Sequence, residues 1–236
     1  MFFDPLYWVV IGAGMILSLW AQFKVKGTFA KYSKRPTQSG MTGAEVAAAI
    51  ARSHGLSDVR VEPVAGSLTD HYDPRTKVLR LSEPIYGGRS MAAFGVAAHE
   101  VGHAIQHAQA YAPLKFRSTW VPVANLGGTL SMIVLILAMV MGGAATAMGG
   151  GLAILGIVLF ATTTVFTLVT LPVEFDASRR ALVTLQRGGF VNAEELDGAR
   201  KVLNAAALTY VAAFLTSLLT LIYWIFRLGL AGSRRD

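Results

Sequence analysis

The sequence predicts a mostly α-helical membrane protein with four transmembrane helices and a small cytoplasmic α+β unit. Four segments of the 236-residue chain, at residues 5–23, 120–141, 151–171 and 205–226, contain no Asp, Glu, Lys, Arg or His. Each is close to the roughly 20 apolar residues that a membrane-spanning helix needs. The hydrophobic share of 53% also exceeds the ~45–50% of typical soluble domains, and the excess lies in these segments.

The first segment is expected to remain in the membrane as an anchor. No basic residues precede it and no A-x-A site follows it, so it lacks the features of a cleavable signal peptide. Four tryptophans lie near segment ends, as is typical of the membrane–water boundary: Trp8, Trp20, Trp120 and Trp224. Cysteine is absent, which excludes disulfides, thiolate metal ligands and a cysteine nucleophile.

The distribution of basic residues predicts the orientation in the membrane. Of the 21 Lys and Arg residues, 18 lie in 24–119 and 172–204, and the others are Arg227, Arg234 and Arg235. The positive-inside rule puts these two loops on the cytoplasmic side of the membrane and the N-terminus on the outer side. The two C-terminal arginines argue mildly the other way. A net charge of +7 arranged like this predicts contact with anionic lipid headgroups and no nucleic-acid binding.

The chain therefore divides into five predicted parts. They are a first transmembrane helix (1–23), a cytoplasmic α+β unit (24–119), a transmembrane hairpin (120–171), cytoplasmic helices (172–204), and a fourth transmembrane helix with a short tail (205–236).

The α+β unit is predicted element by element. Thr42 and Glu45 form a capping-box pattern that predicts a helix over 44–54. Alternating residues predict strands at 59–64, 67–72 and 77–82, the last two joined by a turn. Ser90 is the expected N-cap of a helix over 91–109. A unit of this size cannot bury a large core alone, so we expect it to pack on the membrane helices.

Two further helices are predicted on the same side of the membrane. One covers 172–187 and ends at the glycine pair 188–189. The other begins after Asn192, which forms a second capping pattern with Glu195, and continues into the fourth segment.

The predicted helix over 91–109 carries His99, Glu100 and His103 in the pattern H-E-x-x-H. Histidines four residues apart lie on one helix face, where both can bind one Zn²⁺. The glutamate between them can take a proton from a water at the metal and pass it to a leaving amine. The pattern therefore predicts a zinc site with peptidase chemistry. His107 is about 12 Å along the axis from His99, too far for one ion to bind all three histidines.

A catalytic zinc site usually has three protein ligands and one open position, so a third ligand is needed. Glu174 lies just after the third apolar segment, on the same predicted side as the histidines. From spacing alone it is either the third ligand or an acidic residue favoured at a helix start.

Four other positions are weaker candidates for the site. His71 precedes the zinc helix and could stabilise the oxyanion of a tetrahedral intermediate, or it could simply stabilise its turn. Tyr210 could do the same, although an interfacial tyrosine explains it better. Arg179 and Arg180 could orient Glu174, but basic residues at a cytoplasmic span end need no such role.

Five stretches of the chain resemble the YugP-like family of bacterial membrane zinc metallopeptidases, and the resemblance covers nearly the whole sequence. These stretches are AAHEVGHAIQH at 97–107, DHYDP at 70–74, LRLS at 79–82, PVEFDAS at 172–178 and LNAAALTY at 203–210. The family is more distantly similar to HtpX-like proteases, in which the glutamate of an E-x-x-A-D segment is the third zinc ligand. The resemblance implies this gluzincin-type role for Glu174, with Ala177 matching the alanine. Ser178 stands where the family's aspartate would be, and Asp176 points elsewhere on an ideal helix.

The sequence thus predicts a membrane-embedded zinc endopeptidase with a zincin-like unit and one Zn²⁺ per chain, held by His99, His103 and Glu174. Glu100 is the predicted base, and the strand at 77–82 is the expected edge for an extended substrate. Expected substrates are membrane proteins or their juxtamembrane tails. The alternative is a non-enzymatic scaffold with a structural zinc, which would not need Glu100. A transporter is disfavoured because the apolar segments contain no ionisable residue.

Overall fold

The protein is mostly helical, with one small sheet. In this computed structural model the described residues are 4–228, apart from the side chain of Ala144. The N-terminal three residues and the tail at 229–236, including Arg234 and Arg235, lie outside them. The elements in chain order are α1 (Pro5–Tyr32), α2 (Gly43–Ser53), β1 (Arg60–Val64), β2 (His71–Asp73), β3 (Val78–Ser82), α3 (Glu83–Tyr86), α4 (Met91–Ala108), α5 (Ala112–Val140), a 3₁₀ turn (Gly143–Ala145), α6 (Ala147–Arg187) and α7 (Ala193–Arg227).

Four helices, α1, α5, α6 and α7, are long and apolar enough to cross a membrane, which confirms the prediction of four such segments. Each extends beyond its uncharged segment, because helical hydrogen bonding continues into residues that hydropathy alone does not mark. The prediction of a separate helix starting at Pro172 was wrong, since α6 is continuous from Ala147 to Arg187. A proline removes one hydrogen bond of the helix ladder. Val173 and Ala177, which follow the proline, are fully buried, and their packing stabilises the helix beyond it.

The chain forms two compact units. The span unit comprises residues 4–20, 116–171 and 210–228 of the described chain, and the α+β unit comprises Ala21–Lys115 and Pro172–Thr209. The span unit has a small buried cluster that includes Leu135, Tyr223 and Trp224. Within it, Trp120 donates from Nε1 to the carbonyl oxygen of Thr162 at 3.0 Å.

The sheet of the α+β unit has the strand order β1-β3-β2. β3 pairs parallel with β1 and antiparallel with β2, so it is the central strand. The expectation that 77–82 is an open edge was therefore wrong. The physical reason is that β3 is covered on both faces of the sheet: Val78 is buried on one face, and Leu79 and Leu81 are buried on the other. The second predicted strand, 67–72, is shorter than expected and covers only His71–Asp73.

The core of the α+β unit is built from both of its chain stretches. Val46, Ile50, Phe94 and Val101 come from α2 and α4 in the first stretch. The second stretch contributes Ala181, Leu185, Leu196, Ala199 and Leu203. The first stretch alone is thus too small to bury its apolar surface, and the second stretch completes the core.

The predicted helix caps are confirmed. The Thr42 side chain accepts from the backbone N–H of Glu45, whose carboxylate accepts from the backbone N–H of Thr42, so α2 has a full capping box. Asn192 and Glu195 form the same reciprocal pair at α7, with both hydrogen bonds at 2.9 Å. Glu195 also accepts from the backbone N–H of Gln38 at 2.6 Å, which ties the segment after α1 to the start of α7.

Candidate metal centre

Helix α4 presents the histidine motif from the middle of the core. Ser90 caps its start by accepting from the backbone N–H of Ala93 at 3.2 Å, as predicted. Of its 18 residues 13 are buried, so the helix is fixed on almost every side. His99 and His103 lie one turn apart, with ring centroids 4.7 Å from each other. Glu100 is on the same helix and is only 7% exposed.

Helix α6 brings Glu174 to these histidines because α4 has a glycine at the crossing point. A Cβ added at Gly102 would lie 2.6 Å from the carbonyl oxygen of Ala177, so any side chain there would separate the two helices. The close approach puts Oε2 of Glu174 3.2 Å from Nε2 of His99 and 3.5 Å from Nε2 of His103. The absence of a side chain at Gly102 thus allows the close approach.

These three side chains form a donor set that suits zinc. One ligand atom from each of His99, His103 and Glu174 lies within 4.8 Å of the others. Two imidazole nitrogens and one carboxylate oxygen are the ligands of a common class of catalytic zinc site, which keeps a fourth position open. The set draws no thiolate, in keeping with a chain that has no cysteine. The residues therefore fit a zinc ion with room for a water.

The charges of the cluster are coupled. Burial raises the pKa of the Glu174 carboxyl, but hydrogen bonds with His103 and His99 outweigh burial and hold that pKa below its usual range. Burial lowers the pKa of His103, but the hydrogen bond with Glu174 and the charge of Glu100 outweigh it and raise that pKa above its usual value. A proton on His103 thus balances the buried carboxylate, and a bound cation would take over that balance.

A hydrogen-bonded chain connects His103 to a buried carboxylate on α6. Oε1 of Gln106 lies 3.0 Å from Nδ1 of His103. The Nε2 group of Gln106 donates to the carbonyl oxygen of Val173 at 2.8 Å and to Oδ2 of Asp176 at 2.9 Å. Asp176 was expected to point away from the site, and its own side chain does not bind a histidine. It reaches His103 through Gln106.

The other histidine has a different partner. Nδ1 of His99 lies 3.1 Å from Oγ of Ser178. Arg179 and Arg180 both pair with Asp176, the latter from Nε at 2.5 Å. These arginines lower the pKa of Asp176, although burial raises it. They hold the carboxylate that binds Gln106, so the suggestion that they orient Glu174 does not describe their contacts.

Two other histidines are not part of the donor group found among residues 4–228. His71 is exposed on β2, and its Nδ1 lies 2.8 Å from the carbonyl oxygen of Thr69, so its oxyanion role stays a prediction. His107 is at the end of α4, where Nδ1 lies 3.0 Å from Oη of Tyr72. Burial, Asp58 and Asp73 raise the pKa of Tyr72 to about 12, so its hydroxyl stays protonated. Tyr210 is on α7 in the span unit, and its role also stays a prediction.

Sequence reasoning missed Gln106. One signal was available: the residue lies three positions after His103, on the same face of the helix. A polar side chain at such a position needs buried partners, and a histidine one turn away is a natural one.

Comparisons with known proteins agree with the chemistry of this donor set. Residues 7–229 match the profile of a protein family described as "Putative neutral zinc metallopeptidase". A curated relative, "Putative membrane protease YugP" of Bacillus subtilis (strain 168), is 50% identical over 213 residues, which are 90% of this chain and 92% of the relative. No solved structure matches the chain.

Proposed function

The chain belongs to the zinc metallopeptidase family whose profile it matches, and from that premise we propose that it is a membrane-bound zinc endopeptidase with a zincin-like α+β unit. The observation that carries the proposal is the cluster of His99, His103 and Glu174, in which donor atoms from two helices lie within 4.8 Å. Glu100 stands between the two histidines in the helix, where a purely structural zinc site would need no carboxylate.

The residues of the site have two roles in peptide hydrolysis: three of them bind the metal, and Glu100 transfers protons. His99, His103 and Glu174 would hold one zinc ion per chain. A zinc ion so held supplies a Lewis acid that polarises the peptide carbonyl and makes a water acidic. Glu100 takes the proton of the attacking water and then delivers it to the nitrogen of the leaving amine. Its burial keeps bulk water away from that proton transfer.

The substrate edge of the sheet is proposed to be β2. β3 is central, so an extended peptide can add only to β1 or β2. Tyr72 of β2 contacts His107 on α4, one turn beyond His103, whereas no such contact is seen from β1 among the described residues. Hydrogen exchange with an uncleaved peptide bound to the Glu100→Gln variant tests this. We expect protection at 71–73, and protection at 60–64 instead would assign the edge to β1.

The proposed location of the site is the cytoplasmic surface of the bacterial inner membrane. Glu174 is three residues beyond the uncharged segment at 151–171, and 18 of the 21 Lys and Arg residues lie in 24–119 and 172–204. This location favours membrane proteins or their juxtamembrane tails as substrates. A cysteine at Ser57 should resist impermeant thiol reagents in intact cells, and one at Ala145 should react. The reverse pattern would put the α+β unit outside.

Anionic lipid headgroups are the proposed membrane partners of the α+β unit. A groove of about 640 Å³ between α1 and α7 is lined by three lysines, Lys24, Lys31 and Lys201, together with the apolar Phe23 and Leu208. Basic groups beside an apolar surface suit a phosphate joined to acyl chains. Phosphatidylglycerol should raise the melting temperature of the purified protein, and Lys24→Gln with Lys31→Gln should reduce that rise. An equal rise in both proteins would remove this assignment.

The decisive experiment combines zinc analysis with cleavage of an unfolded test protein. Purified wild type should contain about one zinc per chain and cleave the test protein. Glu100→Gln should keep its zinc and lose activity by about 10²–10⁴-fold, because it lacks the general base. Zinc at a normal level with no cleavage by wild type would favour the scaffold alternative. Near-normal turnover by Glu100→Gln would assign the base elsewhere or indicate a contaminating protease.

A further inference from the structure

We infer that Gln106 fixes the tautomer of His103, and that Asp176 fixes the orientation of Gln106, so that His103 presents the Nε2 lone pair to the metal. The inference rests on the proposed zinc site and adds two positioning residues to it. Neither residue touches the proposed metal or substrate, and both act through His103.

The orientation of the Gln106 amide follows from its partners. The side chain is fully buried, so water cannot satisfy it. Its two N–H groups meet the carbonyl oxygen of Val173 at 2.8 Å and Oδ2 of Asp176 at 2.9 Å. A carbonyl and a carboxylate can only accept. Rotating the amide by 180° would lose both hydrogen bonds and press one buried oxygen against two others, so only one orientation is stable.

The orientation of the amide decides the tautomer of the imidazole. With both N–H groups used, the atom that faces Nδ1 of His103 at 3.0 Å is the oxygen of Gln106. An amide oxygen can only accept, so Nδ1 must carry a proton. A neutral imidazole carries one proton, which leaves Nε2 with a lone pair. Nε2 is also the nitrogen that faces Glu174, at 3.5 Å from its Oε2. The hydrogen bond to Gln106 therefore keeps a proton on Nδ1 and leaves Nε2 as the nitrogen that binds zinc.

The two histidines of the site differ in this respect. Nδ1 of His99 faces the hydroxyl of Ser178 at 3.1 Å, and a hydroxyl can donate or accept. Ser178 therefore permits either tautomer of His99. Gln106, in contrast, has a fixed direction, because Oδ2 of Asp176 can only accept and does so from both Gln106 and Arg180. We expect the zinc affinity of the site to depend strongly on the hydrogen bond between Gln106 and His103. It should depend only weakly on the hydrogen bond between Ser178 and His99.

The test is zinc affinity of the purified full-length protein, measured by competition with a chelating dye. Gln106→Leu keeps the size of the side chain and removes every hydrogen bond, and it should weaken zinc binding by about 10–100-fold. Ser178→Ala should weaken it by clearly less. Gln186→Leu makes the same substitution at an exposed position of α6 and should leave the affinity unchanged.

A spectroscopic measurement separates positioning from a general loss of stability. In zinc-free protein with ¹⁵N-labelled histidine, at an alkaline pH where His103 is neutral, the wild type should show the proton of His103 on Nδ1 and its lone pair on Nε2. Asp176→Asn supplies a donor as well as an acceptor, so the Gln106 amide can rotate. That variant should show an intermediate affinity and a mixed histidine signal, even if Gln106→Leu fails to fold.

The outcomes distinguish this inference from the proposed function. A wild type that binds no zinc would remove the zinc site itself. A wild type that binds zinc, with both variants matching it in affinity and in the His103 signal, would overturn the inference and leave the site intact. A lower melting temperature with unchanged affinity would also overturn it, because Gln106 would then be a packing residue only.

Discussion

Helix α4 and the four long helices are all apolar, yet they bury their residues to very different extents. In the most apolar window of each long helix, between 11% and 28% of residues are buried within the protein. In α4, 13 of 18 residues are buried. The apolar surface that stays exposed on the long helices requires an apolar surrounding such as a membrane. The apolar surface of α4 is instead buried in the core of the α+β unit. Burial within the protein therefore separates this core helix from the helices that could cross a membrane.

The two units also differ in whether their buried polar groups have hydrogen-bond partners. Among residues 4–228, the buried side-chain polar atoms without a hydrogen-bond partner are Oγ1 of Thr164 and Nε1 of Trp224, and both belong to the span unit. In the α+β unit, Gln106 and Asp176 are buried with several partners each. The buried polar side chains beside the candidate site are therefore fully hydrogen-bonded, which orients them. The unpaired polar atoms lie in the span unit, where those residues are held by packing.

The largest expected effect is that metal removal loosens one unit and spares the other. The proposed zinc joins α4 to α6, so binding free energy becomes folding free energy for both helices. With zinc at about 1,000 times its Kd, the stabilisation is about 4 kcal/mol, or roughly 1,000-fold in exchange rate. Hydrogen exchange measured before and after chelation should rise by up to this factor at 91–107 and 172–187, and stay constant at 124–138.

The Glu174→Ala variant is the control for that measurement. It should bind zinc weakly, and its 172–187 segment should respond little to the chelator. If Glu174→Ala binds zinc like the wild type, the third ligand is another residue, and His71 is the next to test.

A smaller effect is expected at the helix crossing. Gly102→Ala puts a methyl group 2.6 Å from the carbonyl oxygen of Ala177 and should cost about 1–3 kcal/mol of unfolding free energy, together with zinc affinity. Denaturant unfolding and dye competition measure the two. Gly151→Ala is the matched control in the span unit, since nothing lies within 4 Å of its new methyl group. Equal losses in both variants would mean that the crossing distance does not matter.

The pH dependence of zinc binding should be of similar or smaller size. Burial lowers the pKa of His103, but Glu174 and Glu100 raise it to a net value above the usual ~6.5. Zinc needs the unprotonated imidazole, so the affinity should be full above that raised pKa. Below it, affinity should fall by about tenfold per pH unit for one competing proton. A titration from pH 8.5 to 5.5 should show the decline beginning above pH 6.5, and a flat profile would contradict the coupling.

The smallest effect concerns helix capping. Thr42→Ala removes half of the capping box of α2 and should cost about 1 kcal/mol of the unfolding free energy of the α+β unit. Thr220 in α7 makes only an internal bond, from its hydroxyl to the carbonyl of Thr216 at 2.8 Å. Thr220→Ala should change stability by less than about 0.5 kcal/mol. Thermal unfolding of the two variants measures the difference, and a loss as large for Thr220→Ala would argue against the contrast.

Much of the fold could be predicted because it depends on local signals. Hydropathy over about 20 residues marks the four long helices, and the pairs Thr42–Glu45 and Asn192–Glu195 mark two helix starts. The continuity of α6 through Pro172 could not be predicted in this way, since it depends on the buried packing of Val173 and Ala177. Likewise, a strand pattern predicts that β3 is a strand but not that it is the central one. Its central position depends on pairing with β1, which lies earlier in the sequence.

The site divides in the same way. His99, Glu100 and His103 are neighbours on one helix, so their spacing alone predicted that they share a face. The approach of Glu174 had support from the family resemblance, and the geometry agrees with it. The partnership of Gln106 with Asp176 joins residues 70 positions apart, and only the crossing of α4 and α6 creates it. Contacts of this kind are made by tertiary packing and leave a weak trace in sequence.

The discontinuous core has a consequence for biosynthesis. His99 and Glu174 are 75 residues apart in the chain, and two apolar segments are synthesised between them and completed only shortly before Glu174. The five core residues of the second stretch, from Ala181 to Leu203, emerge later still. A nascent chain thus has two histidines and no third ligand until both segments have been made. The growing polypeptide would therefore lack the proposed hydrolase site throughout most of its translation, until three of the four apolar segments have been synthesised.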